Sequence, residues 1–576
     1  MLGSFPRTAA HARVLSASAW LAPLAAGAGL RLSNLHRQIL LDDELHTVLS
    51  ALYLSMRDIL STFKSEDPCL PLTAFYRALL ELGVPFSEMT FRLPIVAVSL
   101  AAILVLPRLA LPWIGRHAAI LLAWLMALSP VLALYGGMVR PYAVVALLAP
   151  AATLALLRWR EHGRLAWGLV YAVLAALCLW FHLGTAPFLA AAFGALLVEK
   201  AFARLLAPRW RELGPVVPSW RDLGLVGAAA LLLVAAFVVP AWDSLRELYS
   251  VKSGLGRFAP ALVPPIAHLQ AGASSAWAVP LFWALVCGGL AVLLRARPAI
   301  AIHLAAVTLA QWAGLAVLAP IGLGSPIILN RYLVGTLPLV LLFAAVGLAA
   351  AAGRVARSLA STGAAALAAL AVPAICLTLL AAASPFADPE FRRSSFRHGK
   401  DLLRFDVPRG RIAEESVPAF YRSEEVLRSK ASIAEFPFRG GWSATRAHYI
   451  YQTVHGAPVL AIEPFDWPCD DRLRLRNHHC ARPESLPASA ARFLVVHRDP
   501  LAEELRIEGG DDSGNLYRPD EWQRMARISR RVARNLRRRW GPPAVADDRI
   551  LAWDLDAVRS RLATAHAEAG PPSEPR

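Results

Sequence analysis

Charge is the scarcest commodity in this chain. Acidic and basic side chains make up 18% of 576 residues, against roughly 25% in ordinary soluble domains, which excludes a soluble globular protein of this length. Cysteine is also rare, with six residues, and none of its spacings to histidine fits a standard zinc pattern. No internal repeat or long low-complexity tract is evident. Inverted repeats and broken spans with midplane charges, which mark many transporters, are missing too. No small-residue cleavage site separates the first apolar stretch from the acidic segment after it, so that stretch reads as a retained span rather than a secretory leader.

What the chain has in quantity is apolar sequence, 56% by residue. Candidate spans of about 17–25 residues fall at 14–33, 92–114, 118–136, 141–157, 165–183, 186–203, 223–241, 276–294, 299–319, 332–352 and 363–383. That is about eleven spans of a multi-pass α-helical membrane protein. Basic residues orient them. With the N-terminus in the cytoplasm near Arg7 and Arg13, alternate connections carry Arg116; Arg158, Arg160 and Arg164; Lys200, Arg204, Arg209, Arg211 and Arg221; Arg295 and Arg297; Arg354 and Arg357. These short connections are almost free of acid. The outside connections are then the 34–91 loop, turns at 136–140 and near 182–185, a loop at 242–275, a turn at 320–331 and everything after 384. The net charge of +17 therefore reflects topology rather than nucleic-acid binding.

Residues 1–383 form the membrane domain and 384–576 an exterior domain of ordinary globular composition. Apolar runs at Ser432–Phe436, Val459–Ile462, Phe493–His497 and Ile550–Leu555 read as strands between helical patterns, giving a small α/β domain. A basic helix over 524–539 presents either a solvated face or a surface for anionic lipid or anionic glycan. Cys178, Cys287 and Cys376 fall in spans as packing residues. Cys69, Cys469 and Cys480 fall outside, where Cys469 and Cys480 pair as a disulfide, remain thiols, or join His478 and His479 on a metal. The tail from Gly570 to Arg576 reads as frayed.

Carboxylates are rarely kept beside a span unless they act there, and Asp42-Asp43-Glu44 lies just past the first one. A carboxylate in reach of an acceptor hydroxyl can serve as general base. Ser129-Pro130 precedes Tyr135-Gly136-Gly137-Met138-Val139-Arg140-Pro141-Tyr142 at an outside turn, where Arg140 is either a snorkelling interface residue or a bidentate phosphate ligand. His182 ends the fifth span as a packing or site residue. Asn330-Arg331-Tyr332 opens the tenth, with Arg331 a second phosphate-ligand candidate.

The order of these motifs resembles the type C glycosyltransferases, polytopic enzymes that use polyprenyl-phosphate sugars and include the bacterial protein O-mannosyltransferase-like and aminoarabinose-transferase-like enzymes. The matching pieces are Arg31-Leu32 closing the first span, the Asp43-Glu44 pair, Arg92 beginning the second span, Ser129-Pro130 with Arg140-Pro141-Tyr142, His182, and Arg331-Tyr332. The segment Asp67-Pro68-Cys69-Leu70-Pro71-Leu72 is similar to the family's His-Pro-Pro-Leu-Tyr only at Pro71 and Leu72. His448 to Pro458 is similar to a segment of some members' soluble domains.

The resemblance implies an inverting glycosyltransferase of the bacterial inner membrane, acting on a glycan, lipid or protein outside the cytoplasm. It assigns Asp43 as base with Glu44 supporting, and Arg140, Tyr142 and Arg331 at the donor phosphate. His182, Tyr249, Lys252 and Arg257 would contact substrate, the last three from a lid over 242–275. Many members carry a Glu two residues before the Arg, where this chain has Met138, so no metal ligand is assigned and a divalent ion is unsupported. The donor, an acceptor and membrane lipids are the implied partners, and no cofactor is certain. The rival expectation is a transporter or flippase of lipid-linked sugars.

Overall fold

The computed structural model describes the chain from residue 9 to 569, apart from 41–42, 64–68, 203–217, 255, 274, 276, 322, 360, 394–415, 430, 438–445, 463–485, 487–490 and 507–518. Asp42, Cys469, Cys480, His478 and His479 lie outside the described residues. Eight helices are long and apolar enough to cross a membrane: Glu88–Leu128, Tyr142–His162, Leu183–Phe202, Trp220–Lys252, Ala278–Ala296, Pro298–Leu318, Leu337–Arg357 and Thr362–Ala382. Each of the eleven expected stretches lies largely on helix among the described residues. The difference in number has three sources. The 41-residue helix Glu88–Leu128 holds two stretches, and the first and fifth fall on the helices Ala9–Leu32 and Leu165–Phe181.

Gly115 divides the long helix, with φ 74° and ψ 163°. A side chain at that φ would clash with its own backbone, so glycine permits the reversal. Ile103 and Ala127 are equidistant from Gly115 in sequence, and both lie against Gly27 of the first helix. Glu88–Leu128 is thus a hairpin of two membrane helices clasping the first. Between Ala278–Ala296 and Leu337–Arg357 the backbones touch. A Cβ at Gly289 would fall 1.7 Å from the Phe343 carbonyl oxygen, and one at Gly347 2.0 Å from that of Leu285. Small residues allow this approach where lipid provides no hydrophobic drive between helices.

Burial separates centre from periphery. Tyr142–His162 has 83% of its most apolar window buried, and Thr362–Ala382 only 6%. Large apolar side chains such as Leu231, Val317 and Leu370 are exposed at 71%, 84% and 70%, a surface that bilayer lipid would cover. Cys178 is buried. Cys376, half-buried, packs against the same core, whereas Cys287 is exposed and does not share that role.

The 34–91 segment is not an open loop. It folds into helices Asp43–Tyr53, Met56–Ser61 and Leu70–Glu81 around Leu45, Val48, Leu72 and Tyr76. The 242–275 segment is helical as well, over Trp242–Lys252 and Val263–Ala271.

The C-terminal region after residue 384 is α/β. Its sheet has strands β1 (Ile433–Phe436), β2 (Val459–Ala461), β3 (Phe493–His497), β4 (Val545–Ala546) and β5 (Ile550–Asp554) in the order β2-β1-β3-β5-β4. β2, β1 and β3 run parallel, while β5 opposes β3 and β4 opposes β5. Alternation along the strands gives two buried faces. One carries Ala434, Leu494, Val496 and Trp553 under the basic helix, which spans Pro519–Trp540. The other carries Ile433, Phe493, Val495 and Ile550.

Candidate active site

The first two turns of Asp43–Tyr53 carry the site's central acid and its anchor. Glu44 is 3% exposed and its carboxylate is fully engaged. Arg92 Nη2 lies 2.9 Å from Oε2, Arg92 Nε donates to Oε1 at 3.3 Å, and the Val139 N–H donates to Oε1 at 2.9 Å. Arg92 also donates to the carbonyls of Gln38 and Ile39 at 2.8 and 2.7 Å. Glu44 therefore ties the acidic helix both to the start of Glu88–Leu128 and to the 136–141 turn. A buried carboxylate needs this many donors to remain charged. Its position supports Asp43 and Arg140 from behind rather than facing a substrate.

Asp43, adjacent in the chain, points elsewhere. Its carboxylate forms an ion pair with the guanidinium of Arg331 on the helix Pro326–Leu333, with side chains 17% and 11% exposed. Arg140, 8% exposed, donates to the Thr47 hydroxyl at 3.4 Å, one helical turn beyond Asp43. Aromatic rings surround the pair. The Arg331 guanidinium lies 5.9 Å from the Tyr142 ring centre. Tyr142 meets Tyr135 at 4.9 Å and His182 at 6.1 Å, and His182 meets Tyr332 at 5.4 Å. Tyr332 feels the charges of Arg331, Asp43 and Arg140 together. Four connections that the charge rule assigns to one side thus meet at one end of the bundle.

The other end is held separately. Arg160 donates to Glu199 at 2.5 and 2.7 Å, and the Trp113 indole donates to Glu161 at 2.5 Å.

Two further side chains support the site, one of which, Gln311, escapes motif reading. Gln311, 1% exposed in the helix Pro298–Leu318, accepts from the Phe188 N–H at 3.0 Å. It donates to the carbonyls of Gly184 and Tyr332 at 2.8 and 3.0 Å, fixing the His182 turn to the Arg331 helix. Arg31 donates to the Ser99 hydroxyl at 2.7 Å and to the carbonyls of Ala127 and Met126 at 3.1 and 3.3 Å. It closes the end of the hairpin beneath the site. For Gln311 the only sequence signal is a lone polar residue in an apolar helix, whereas Arg31 belongs to the Arg31-Leu32 pair that closes the first span.

His182 Nδ1 accepts from the Gly184 N–H at 3.1 Å, which leaves Nε2 as the proton-bearing nitrogen of the neutral ring. Tyr249 is 62% exposed and Arg257 is exposed. No side-chain contact among the described residues ties either to the Asp43–Arg331 pair. The backbone around Lys252 pairs with 318–321 through Gly254 N–H to Leu318 O at 3.1 Å and Ile321 N–H to Lys252 O at 2.7 Å. That places the segment beside the chain leading into the Arg331 helix.

Among the described residues, the one His/Cys/Asp/Glu group with ligand atoms close enough for a metal lies in the C-terminal α/β region. Glu435, His448 and His497 have these atoms within 4.8 Å of one another. They already form a hydrogen-bonded network. His497 Nε2 lies 2.7 Å from Glu435 Oε2, and the Tyr421 hydroxyl donates to the same carboxylate at 2.9 Å. Burial pushes the Glu435 carboxyl up to about 7 and the His497 imidazole down to about 4. The His497–Glu435 contact near neutral pH is therefore a hydrogen bond from a neutral ring, not an ion pair.

No family model matches the chain, and no curated protein does. Among solved structures it is similar to the apo crystal structure of ArnT from Cupriavidus metallidurans, at 13% identity over 94% of this chain and 99% of that one, with a TM-score of 0.45. It is similar also to ArnT bound to undecaprenyl phosphate, at 14% identity over 95% and 98%, TM-score 0.43. A third is the archaeal oligosaccharyltransferase AglB from Archaeoglobus fulgidus with an inhibitory peptide and a dolichol-phosphate, at 12% identity over 87% and 72%, TM-score 0.43. At such identities and scores the functional case rests on the site's own geometry.

Proposed function

We propose that this chain is a type C inverting glycosyltransferase of a bacterial inner membrane, with Asp43, Arg140 and Arg331 in an outward-facing active site. It would transfer a sugar from a polyprenyl-phosphate donor to an acceptor outside the cytoplasm. The observation that carries the reading is the Asp43–Arg331 pair, set among aromatic rings at one end of an apolar helical bundle.

Each group has a distinct task. Asp43 takes the proton of the acceptor hydroxyl or amine as it attacks the anomeric carbon. The new bond forms on the face opposite the phosphate, inverting the centre. The carbon–oxygen bond to phosphate breaks with its electron pair going to the phosphate oxygen. Arg331 and Arg140 neutralise that leaving group, the planar guanidinium fork matching two phosphate oxygens. Tyr332, partly exposed and backed by the buried Tyr142 and Tyr135, would supply a flat wall for a sugar ring, with the His182 Nε2–H as a donor. Glu44 acts through Arg92 and the Val139 N–H, as a positioning residue.

Asp43→Asn tests the reading. In membranes supplied with polyprenyl-phosphate sugars, transfer is expected to fall by roughly 10²–10⁴-fold, with expression and melting temperature unchanged. Transfer at the wild-type rate would remove Asp43 from the mechanism.

A further inference from the structure

The helix Pro519–Trp540 buries Trp522, Met525, Ser529, Ala533, Leu536 and Trp540, the last three of the apolar ones in the core beneath the sheet. The steps of three and four residues are those of one helical face. Beside that face runs a second stripe at 3.6-residue spacing, made of Arg527, Arg530, Arg534 and Arg537. With a rise of about 1.5 Å per residue, these four guanidinium groups climb roughly 15 Å along the helix. They do not project into open solvent alone. Together with Arg498, from the end of β3, they line a cleft of about 700 Å³ between the helix and the strand ends.

Three observations make this cleft a site rather than a solvated face. Its cations lack partners: no ion pair among the described residues engages Arg498, Arg527, Arg530, Arg534 or Arg537. The one carboxylate in the lining, Asp499, has its Oδ1 taken by the N–H groups of Leu501 and Ala502 at 3.2 Å each. Finally, the cleft wall holds buried polar atoms that no described group satisfies, the Ser529 hydroxyl at 0% exposure and the Arg498 Nε. A buried hydroxyl with no partner is uncommon in a folded domain and points to an unseen one.

We propose that this cleft binds a saccharide carrying more than one phosphate. A ladder of guanidinium groups matches anionic oxygens repeated along a chain, and each phosphate can take a bidentate contact. The volume suits one or two phosphorylated sugar units. The Ser529 hydroxyl would donate to, or accept from, a group at the floor. Concavity favours a glycan over a bilayer, since a flat headgroup surface reaches convex patches and not the floor of a cleft. If the transfer reaction proposed above is correct, this cleft would anchor the acceptor. The binding itself does not depend on it, and Asp43→Asn protein is expected to bind unchanged.

The test uses the full chain in nanodiscs of neutral phosphatidylcholine, with a fluorescent phosphorylated oligosaccharide as probe. The same glycan after phosphatase treatment and vesicles of phosphatidylglycerol form the other arms. The phosphorylated probe should bind, and the dephosphorylated one at least about tenfold more weakly, as loss of charge-assisted contacts implies. The double variant Arg530→Gln/Arg534→Gln, at exposed positions, should lose binding to a similar extent and flatten its salt dependence. Ser529→Ala should weaken binding severalfold while leaving or raising the melting temperature, because it removes an unsatisfied buried hydroxyl. Equal binding of both glycans, or no effect of the double variant, would overturn the proposal. So would tight capture of phosphatidylglycerol vesicles through these arginines without glycan binding, which would assign the cleft to membrane.

Discussion

At the residue scale, neighbouring acids do different work because they face different partners. Asp43 pairs with the Arg331 guanidinium in a partly open site, whereas Glu44 is sealed among Arg92 and the Val139 N–H. Glu44→Ala should leave the Arg92 charge buried without its carboxylate, at a cost of about 3–5 kcal/mol. Thermal unfolding in detergent reads this as a large loss of stability, and an unchanged melting temperature would contradict the clamp. Arg331→Lys keeps the charge but loses the planar fork. It should raise the KM for the lipid-linked donor by about tenfold with a smaller change in kcat, measured by steady-state transfer. The acid pair and both arginines could be picked out from motif order alone. Arg92 as the partner of Glu44, and Gln311 as the tie between two turns, could not be. Those contacts join residues far apart in the chain, and only packing brings them together.

At the element scale, the helices follow from runs of apolar sequence long enough for a bilayer, which is why every expected stretch lies on one. The hairpin at Gly115 and the contact of Gly289 with Gly347 are less legible, since a glycine in an apolar run does not announce which neighbour approaches it. Gly289→Ala places a methyl where the Phe343 carbonyl already sits. It should separate the two helices and destabilise the bundle by about 1–3 kcal/mol, seen as a lower melting temperature. The segments 34–91 and 242–275 read as loops because their helices are short and amphipathic, with polar residues that lower the hydropathy a span requires. Their apolar faces, such as Leu45, Val48 and Ala51, were the signal available. In the exterior sheet four strands stand out as β-branched or aromatic runs, while β4 is too short to register.

At the scale of the whole molecule, the C-terminal α/β domain carries its own sensitivity to pH. The domain buries three imidazoles in neutral form. Burial lowers His448 to about 3, His455 to about 3 and His497 to about 4, while it raises Glu435 to about 7. Tyr421, Tyr451, Glu503 and Arg549 pack around the same cluster. A lowered histidine contributes stability above its unfolded value near 6.5, lost as the pH falls below it. The raised carboxyl contributes in the opposite sense, its share fading as pH rises from about 4.5 to 7. Three lowered imidazoles outweigh one raised carboxyl, so below about pH 6.5 the unfolded chain binds more protons than the folded one and stability falls with acidification. Pulse proteolysis of the full chain at pH 7 and pH 5 should show the exterior domain cut faster at the lower pH. Equal resistance would mean that these histidines are not held neutral. The Asp43–Arg331 bond has a consequence of its own for the proposed enzyme. While the guanidinium occupies the base, an early-arriving nucleophile meets a quenched carboxylate. In that reading an incoming lipid phosphate would compete for the cation and release the carboxylate, so donor would load before acceptor and water alone would find no awakened catalyst.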